Sequence, residues 1–380
     1  MPNTTVKYFA STMTSAPSLN NAVGTAIAVL DACLVTGFGS VTLNSLVVLD
    51  NVATATYGAG HGFSMIGACG PVVLIEGATP SALNGEWRIA SVPTANTFTF
   101  ATSGIANQTA TGTITAKRAP AGFSKAFSGT NKAAYRSDDV TGNRHYLRVD
   151  DSIGNNARVR GYETMSDVDT GTEPFPTDAQ LSGGAYLHKS SAATNRAWFL
   201  ISDGLMVYFI CDASGVWGGG TGGLIFGDPI TYKTPDPYAT CLIAGNAASA
   251  SAFCYSLTSA NGAWMPRSHT GIGSSVWSLR RSHISTSELG FSGSSVNQPF
   301  PNPVDNGLHV WPVDCWEWVS TYVAYARGIM PGFWNPIHQS GPAHLSFHEE
   351  IAQLPGRTLL TLNGWGSPYR VLFDLTGPWR

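Results

Sequence analysis

Apolar and polar residues alternate in short runs along most of this chain. Thr97-Phe98-Thr99-Phe100 puts two rings on one side of an extended segment and two hydroxyls on the other. Thr111-Gly112-Thr113-Ile114-Thr115 carries a similar pattern. Runs such as VATATY, PVVLIEG, EWRIASV, AYLHKS, LMVYFICD and LIFGDPITY read as strands, separated by Gly, Asn, Asp, Ser and Pro. Asp50-Asn51, Asn84-Gly85 and Asp203-Gly204 fall between such runs and predict tight turns, because these residues tolerate positive φ. HYLRVDDS and ARVRGYETMSD read as two paired strands around a SIGNN turn.

A helical period occurs over residues 20–37, where Ile27, Leu30 and Leu34 share a face. Asn20 or Asn21 would cap its start and Gly37 would end it. The Trp/Pro-rich stretch after residue 260 reads as strand-poor, up to two last strands, GRTLLTLNGW and YRVLFDLTGPWR. Together these patterns predict a mainly β, multi-domain chain. Residues 1–51 form an N-terminal docking segment with one helix. Residues 52–118 form a small β barrel or sandwich insert, and residues 119–380 a larger β-sandwich-like region with few short helices. No repeat period points to a solenoid or propeller.

Composition sharpens this picture. Of 380 residues, only 12% are charged, with 42 Gly and 22 Pro in their place. Eleven Trp and thirteen Tyr argue against disorder. The net charge of −3 comes with no Lys/Arg cluster, so nucleic acid is not an expected partner. No apolar run is long enough for a transmembrane helix, so membrane insertion is not expected. Cys33, Cys69, Cys211, Cys241, Cys254 and Cys315 are scattered without a CxxC pair, which predicts buried free thiols in a chain made in the cytosol.

Five patterns carry candidate chemistry. The GGGTGG run at 218–223 formally contains GxGxxG, but a strand rather than a helix follows, so a loop is the better reading and no cofactor is expected. His344 and His348, beside Glu349 and Glu350, would share a helical face suited to zinc, although the HExxH order is absent; a short polar helix is the plainer reading. Asp167, Asp169 and Glu173 resemble a truncated calcium loop whose ligand positions fail, which leaves an acidic turn. Asp150, Asp151 and Glu163 would serve as a glycosidase pair only if they converge, and otherwise as solvated turn residues. His283 or His309 would activate a cysteine only if the fold brings them together. No catalytic, cofactor-binding or metal-binding residue is assigned, and no enzyme activity is expected. Trp311, Trp316, Trp318 and Trp334 are the candidate contacts for a partner or a glycan; the alternative is a loop-rich core stapled by aromatics.

The segment HGFSMIGACGPVVLIEGATPSALNGEWRIASVPTANTFTFATSG resembles a small β module found in virion proteins of tailed bacteriophages and their prophages. That module is itself similar in shape to the small β-rich inserted domain of ubiquitin-activating enzymes, without their chemistry. His61, Gly62, Phe63, Gly77, Ala78, Thr79, Pro80, Leu83, Asn84, Gly85, Phe98 and Phe100 carry the likeness. The flanks VKYFASTMTSAPSLNNAVGTAIAVLDACLVTGFG and VLFDLTGPWR resemble tail and baseplate-region proteins of the same viruses.

This resemblance implies a structural tail component, at the baseplate or tail tip, located in the virion and made in the host cytoplasm. It implies other tail or baseplate proteins as partners, and a homo-oligomer, trimeric or hexameric. A receptor- or glycan-binding tail protein, recognising a host surface glycan or protein, is the first alternative. A tail-associated cell-wall or polysaccharide hydrolase is the second.

Overall fold

The computed structural model describes residues 3–215, 217, 220–249, 253, 262–281, 299–320, 323–338, 341–363 and 370–380. It is mainly β, with several sheets and one short α-helix among the described residues.

The eight-stranded sheet holds the opening module. Its order is Phe38–Thr42, Thr115–Arg118, Val72–Glu76, Gly85–Thr94, Thr97–Ala101, Val52–Thr56, Ser45–Leu49 and Gln108–Thr109. It curls into a half-barrel because Gly85–Thr94 pairs with Val72–Glu76 at its start and with Thr97–Ala101 at its end. Asp50 and Asn51 both take positive φ, 49° and 63°, and form the two-residue turn between Ser45–Leu49 and Val52–Thr56. The inner face buries Leu46, Val48, Ile75, Ile89, Phe98 and Phe100. Trp87 stacks on Phe100 at 5.0 Å between centroids, and Phe63 meets Phe98 edge-on at 5.3 Å. Strand alternation thus becomes a closed aromatic core.

Two details differ from the sequence reading. The hairpin strands Ser45–Leu49 and Val52–Thr56 belong to one sheet, so a boundary between residues 51 and 52 cuts a turn; the sheet begins at Phe38. Asn84-Gly85 is not the centre of a tight turn. Asn84 is extended (φ −76°, ψ 145°), follows a 3-10 turn at Ser81–Leu83, and leads directly into Gly85–Thr94. Its side chain accepts from the Ala78 N–H and donates to the Ala78 carbonyl, both at 2.8 Å, as a neighbouring strand would. In the run 111–115, Thr111 makes only an isolated bridge to Thr79, and regular strand starts at Thr115.

The other described strands form a sandwich-like body. A six-stranded sheet contains Phe123–Gly129, Lys132–Ser137, Tyr146–Asp150, Asn156–Met165, Gly171–Phe175 and Ala185–His188. The largest sheet holds thirteen described strands, from Lys7–Ala10 against Trp198–Ser202 at one edge to Phe347–His348 at the other. One core joins the two sheets through residues such as Tyr135, Val149, Phe175, Trp198, Tyr208 and Phe226. Asp203 accepts from the Leu205 and Met206 N–H groups and sets the turn between Trp198–Ser202 and Met206–Asp212.

The predicted helix is shorter than its pattern. An α-helix covers Thr25–Leu30, a π-turn covers Asp31–Thr36, and Gly37 (φ 70°) ends it. Neither Asn20 nor Asn21 caps it. The Asp151 carboxylate, distant in sequence, accepts from the Ala26 N–H at 2.8 Å instead. The helix buries Ile27 and Leu30 inside the chain's own core.

The stretch read as strand-poor contains the two longest described strands, Val310–Ser320 and Val323–Pro336. Pro and Gly occur there because the pairing is bulged. Register shifts fall between Pro312 and Asp314, Cys315 and Trp316, and Trp318 and Ser320.

Candidate functional site

The four tryptophans separate along that long hairpin. Trp316 lies opposite Ala326 and Trp318 opposite Ala324, so small residues face both half-buried indoles. The Trp318 indole N–H donates to the Ser320 carbonyl. Trp311 is 45% exposed, seven residues from Trp318 and therefore about 20 Å away along a strand. Trp334 packs with Leu308, Val310, Ile351, Leu359 and Leu372 in a small core of its own. The hairpin therefore carries two half-buried indoles two residues apart on one strand, Trp316 and Trp318, and a more exposed ring, Trp311. Tyr232 (58% exposed) lies beside the hairpin, and its hydroxyl donates to Asp314 at 3.3 Å. The sequence carries no local signal for Tyr232, because its contact depends on pairing with the hairpin strand next to it.

On the module, solvent-facing residues form continuous cross-strand rows. Leu49, Val52 and Ala101 make one row; Thr109, Val47, Thr54, Thr99 and Ser91 make the next. Leu49 is 61% exposed and Val52 43%. These rows contain no charged side chain, although lysines and glutamates commonly guard an open sheet. Ser91–Thr99 and Thr94–Thr97 hydroxyl pairs, each at 2.7 Å, hold the polar part of the face in register.

The candidate carboxylates do not converge on a cleft. Asp150 pairs with Arg148 at 3.1 Å, and Glu163 with Arg267 at 2.6 Å. Asp151 is fully enclosed and ion-paired with Lys189, which is also fully enclosed. Burial pushes the Asp151 carboxyl up and the Lys189 ammonium down in pKa. Asp151 is thus an interior fastener, not a solvated turn residue.

The histidine pair fares similarly. His344 and His348 lie on no helix: His344 sits in a turn against Trp217 and Asn363, and His348 on the strand Phe347–His348 beside Ser346. A two-residue strand and a turn replace the i, i+4 geometry, so the pair does not share a face suited to zinc. Burial brings His344 down to about 4. The Glu349 carboxylate accepts from the Ala68 N–H instead. A cleft of about 460 Å³ beside them is lined by Phe300, Leu308, Phe347, His348, Glu350 and Ile351, among others. No group of three or more metal-ligating side chains occurs among the described residues.

The remaining motifs are accounted for locally. Asp167 accepts from the Asp169 and Thr170 N–H groups, while Asp169 pairs with Lys132 and Arg148, as an acidic turn does. Gly222 and Gly223 lie inside the strand Thr221–Gly227; a Cβ on Gly222 would meet the His188 carbonyl at 1.7 Å, so close packing explains them. Residues 218, 219, Cys254 and His283 lie outside the described residues. His309 hydrogen-bonds to Asp305 and Gln353, not to a cysteine. The five described cysteines are buried.

The signature residues of the module are structural. The His61 Nδ1 accepts from the Phe63 N–H at 3.0 Å, and its ring packs against Phe63 and Phe98. Gly62 (φ 68°) leaves no room for a Cβ beside Thr14. Two arginines missed in the sequence lock the module to the body. Arg88 donates to the carbonyls of Asn3, Val6 and Gly70. Arg118 donates to those of Thr14 and Gly62 and lies over the Phe38 and Phe63 rings. Burial brings Arg118 down to about 10. In a chain so poor in charge, an arginine inside a strand such as EWRIASV was the available signal.

No family model matches the chain, and no curated protein matches it either.

Proposed function

We propose that the protein is a structural component of a bacteriophage tail, at the baseplate or tail tip, that assembles by protein–protein contacts with copies of itself and with neighbouring tail proteins. The observation that carries this reading is the uncharged pair of rows on one half of the module's outer face, with Leu49, Val47 and Val52 presented on a regular sheet. Such a face is suited to being covered by a neighbour. The chain's sequence likeness to virion proteins supplies the setting. Its described histidines are buried or half-buried, and exposed carboxylates such as Asp169, Asp178 and Asp305 are engaged in internal pairs, which fits an architectural part.

Mass spectrometry of purified particles tests the reading: the chain should be present in fixed stoichiometry with known tail proteins. Its absence from purified particles overturns the proposal. Size-exclusion chromatography with light scattering should show a trimer or hexamer, and Leu49→Asp with Val52→Asp should shift it toward monomer.

A second reading is that the hairpin contacts a host glycan. Trp316 and Trp318 on one strand, with the exposed Tyr232 ring just after the strand paired to that hairpin, favour it, since aromatic faces suit sugar rings. Binding of the purified protein to host surface polysaccharide, lost on Trp318→Ala, would support it. Equal binding by wild type and variant would remove it.

A further inference from the structure

Asp151 and Lys189 meet in the interior with side chains that are both 0% exposed. Neither group has another ion-pair partner among the described residues. Both backbones are pinned: the Asp151 N–H donates to the Asn131 carbonyl at 2.7 Å, and the Lys189 N–H to the Asn155 carbonyl at 3.1 Å. The lysine nitrogen touches Asp151 Oδ1 and also donates to the Ala22 carbonyl and, at 3.4 Å, to the Thr25 hydroxyl. The other carboxyl oxygen, Oδ2, accepts from the Ala26 N–H at 2.8 Å.

We propose that Asp151 and Lys189 join covalently, as an intramolecular amide between the aspartate carbonyl carbon and the lysine nitrogen. Four features support the bond. Burial favours the neutral form of each group, so an amine and a carboxylic acid face each other after one proton passes from nitrogen to oxygen. Ala22 and Thr25 accept two amine protons, which leaves the nitrogen lone pair for Asp151. The Ala26 N–H stabilises the negative charge that develops on Oδ2 during attack. Fixed contact removes the entropic cost of bringing two side chains together.

The step balances without a co-reactant. The Nζ lone pair attacks Cγ and forms the C–N bond. The C–O bond to the hydroxyl breaks, and the hydroxyl departs with an amine proton as water. Nothing is oxidised or reduced. The product closes a loop across residues 151 and 189 and fastens the end of Tyr146–Asp150 to the end of Ala185–His188. This inference is independent of the proposed tail function.

Intact-mass measurement of the purified, denatured full chain tests it. The expected mass is lower than that of the sequence by one water, and protease digestion should yield one branched peptide containing Asp151 and Lys189. The Lys189→Arg variant should return to the full sequence mass. A full mass for the wild type, or linear peptides with a free Lys189 side chain, overturns the proposal. So does loss of water with linear peptides only, because that marks a cyclic imide at Asp151-Ser152. The wild-type measurement decides even if the variant fails to fold.

Discussion

Arg327 grips Asp236 at two points, Nε to Oδ2 and Nη2 to Oδ1, each at 2.8 Å, with both side chains almost wholly buried. Its third arm, Nη1, donates to Glu317 at 2.9 Å. One cation thus neutralises two interior carboxylates and ties the long hairpin to the loop around Asp236. Arg327→Met would leave Asp236 buried without a cation and Glu317 with only His269 beside it. The expected loss of unfolding free energy is about 3–5 kcal/mol. Urea denaturation checks it, and a loss under about 1 kcal/mol would mean that water reaches the site.

Arg88 holds the segment before the first strand through carbonyls of Asn3 and Val6. Arg88→Met keeps much of the side-chain volume and removes those donors. The expected outcome is faster protease cleavage within the first twenty residues, with the module itself still resistant. Limited proteolysis followed by mass mapping reads this directly; an unchanged cleavage pattern would contradict the clamp.

Asn84 is exposed, yet its amide completes two backbone hydrogen bonds at Ala78. Asn84→Ala should cost about 1–2 kcal/mol, the net worth of two neutral hydrogen bonds. Asn84→Asp should cost at least as much, because a carboxylate oxygen would then face the Ala78 carbonyl. Thermal melts of the two variants settle the order.

His145, His188, His344 and His348 all have pKa values lowered mainly by burial, so the folded state favours their neutral forms. The unfolded chain takes up their protons first as pH falls below about 6.5. Stability is therefore full above neutral pH and declines as pH drops from about 6.5 toward the folded-state values, about 4 for His344. Melting temperature should fall between pH 7.5 and pH 5, and His344→Gln should reduce that fall. A melting temperature that rises on acidification would refute the assignment.

Local chemistry made part of this fold legible. Asp50-Asn51 and Asp203-Gly204 turn where their residue types demand it, and Thr/Phe alternation marks the module core. Long-range pairing hid the rest. Asp151 looked like a turn residue because its partners, Lys189 and Ala26, lie far away in sequence. His344 and His348 suggested a helix by spacing alone, while the strand Leu359–Asn363 draws Phe347–His348 into a sheet. The hairpin at 310–336 looked irregular because its bulges carry the Pro and Gly that usually signal loops. The four tryptophans lie close in sequence, but register sends Trp334 into one core and leaves Trp311 45% exposed.

The strand Lys7–Ala10 pairs with Trp198–Ser202, so the first strand of the largest sheet has its partner almost two hundred residues downstream. At ordinary ribosomal speeds of about 5–20 residues per second, that partner emerges roughly 10–40 s later. Tyr8 and Phe9, buried in the finished protein, spend that interval without the strand that covers them. Newly made chains are thus exposed to chaperone capture or to mispairing with one another before the sheet edge closes, and slow, non-local closure sets the pace of folding.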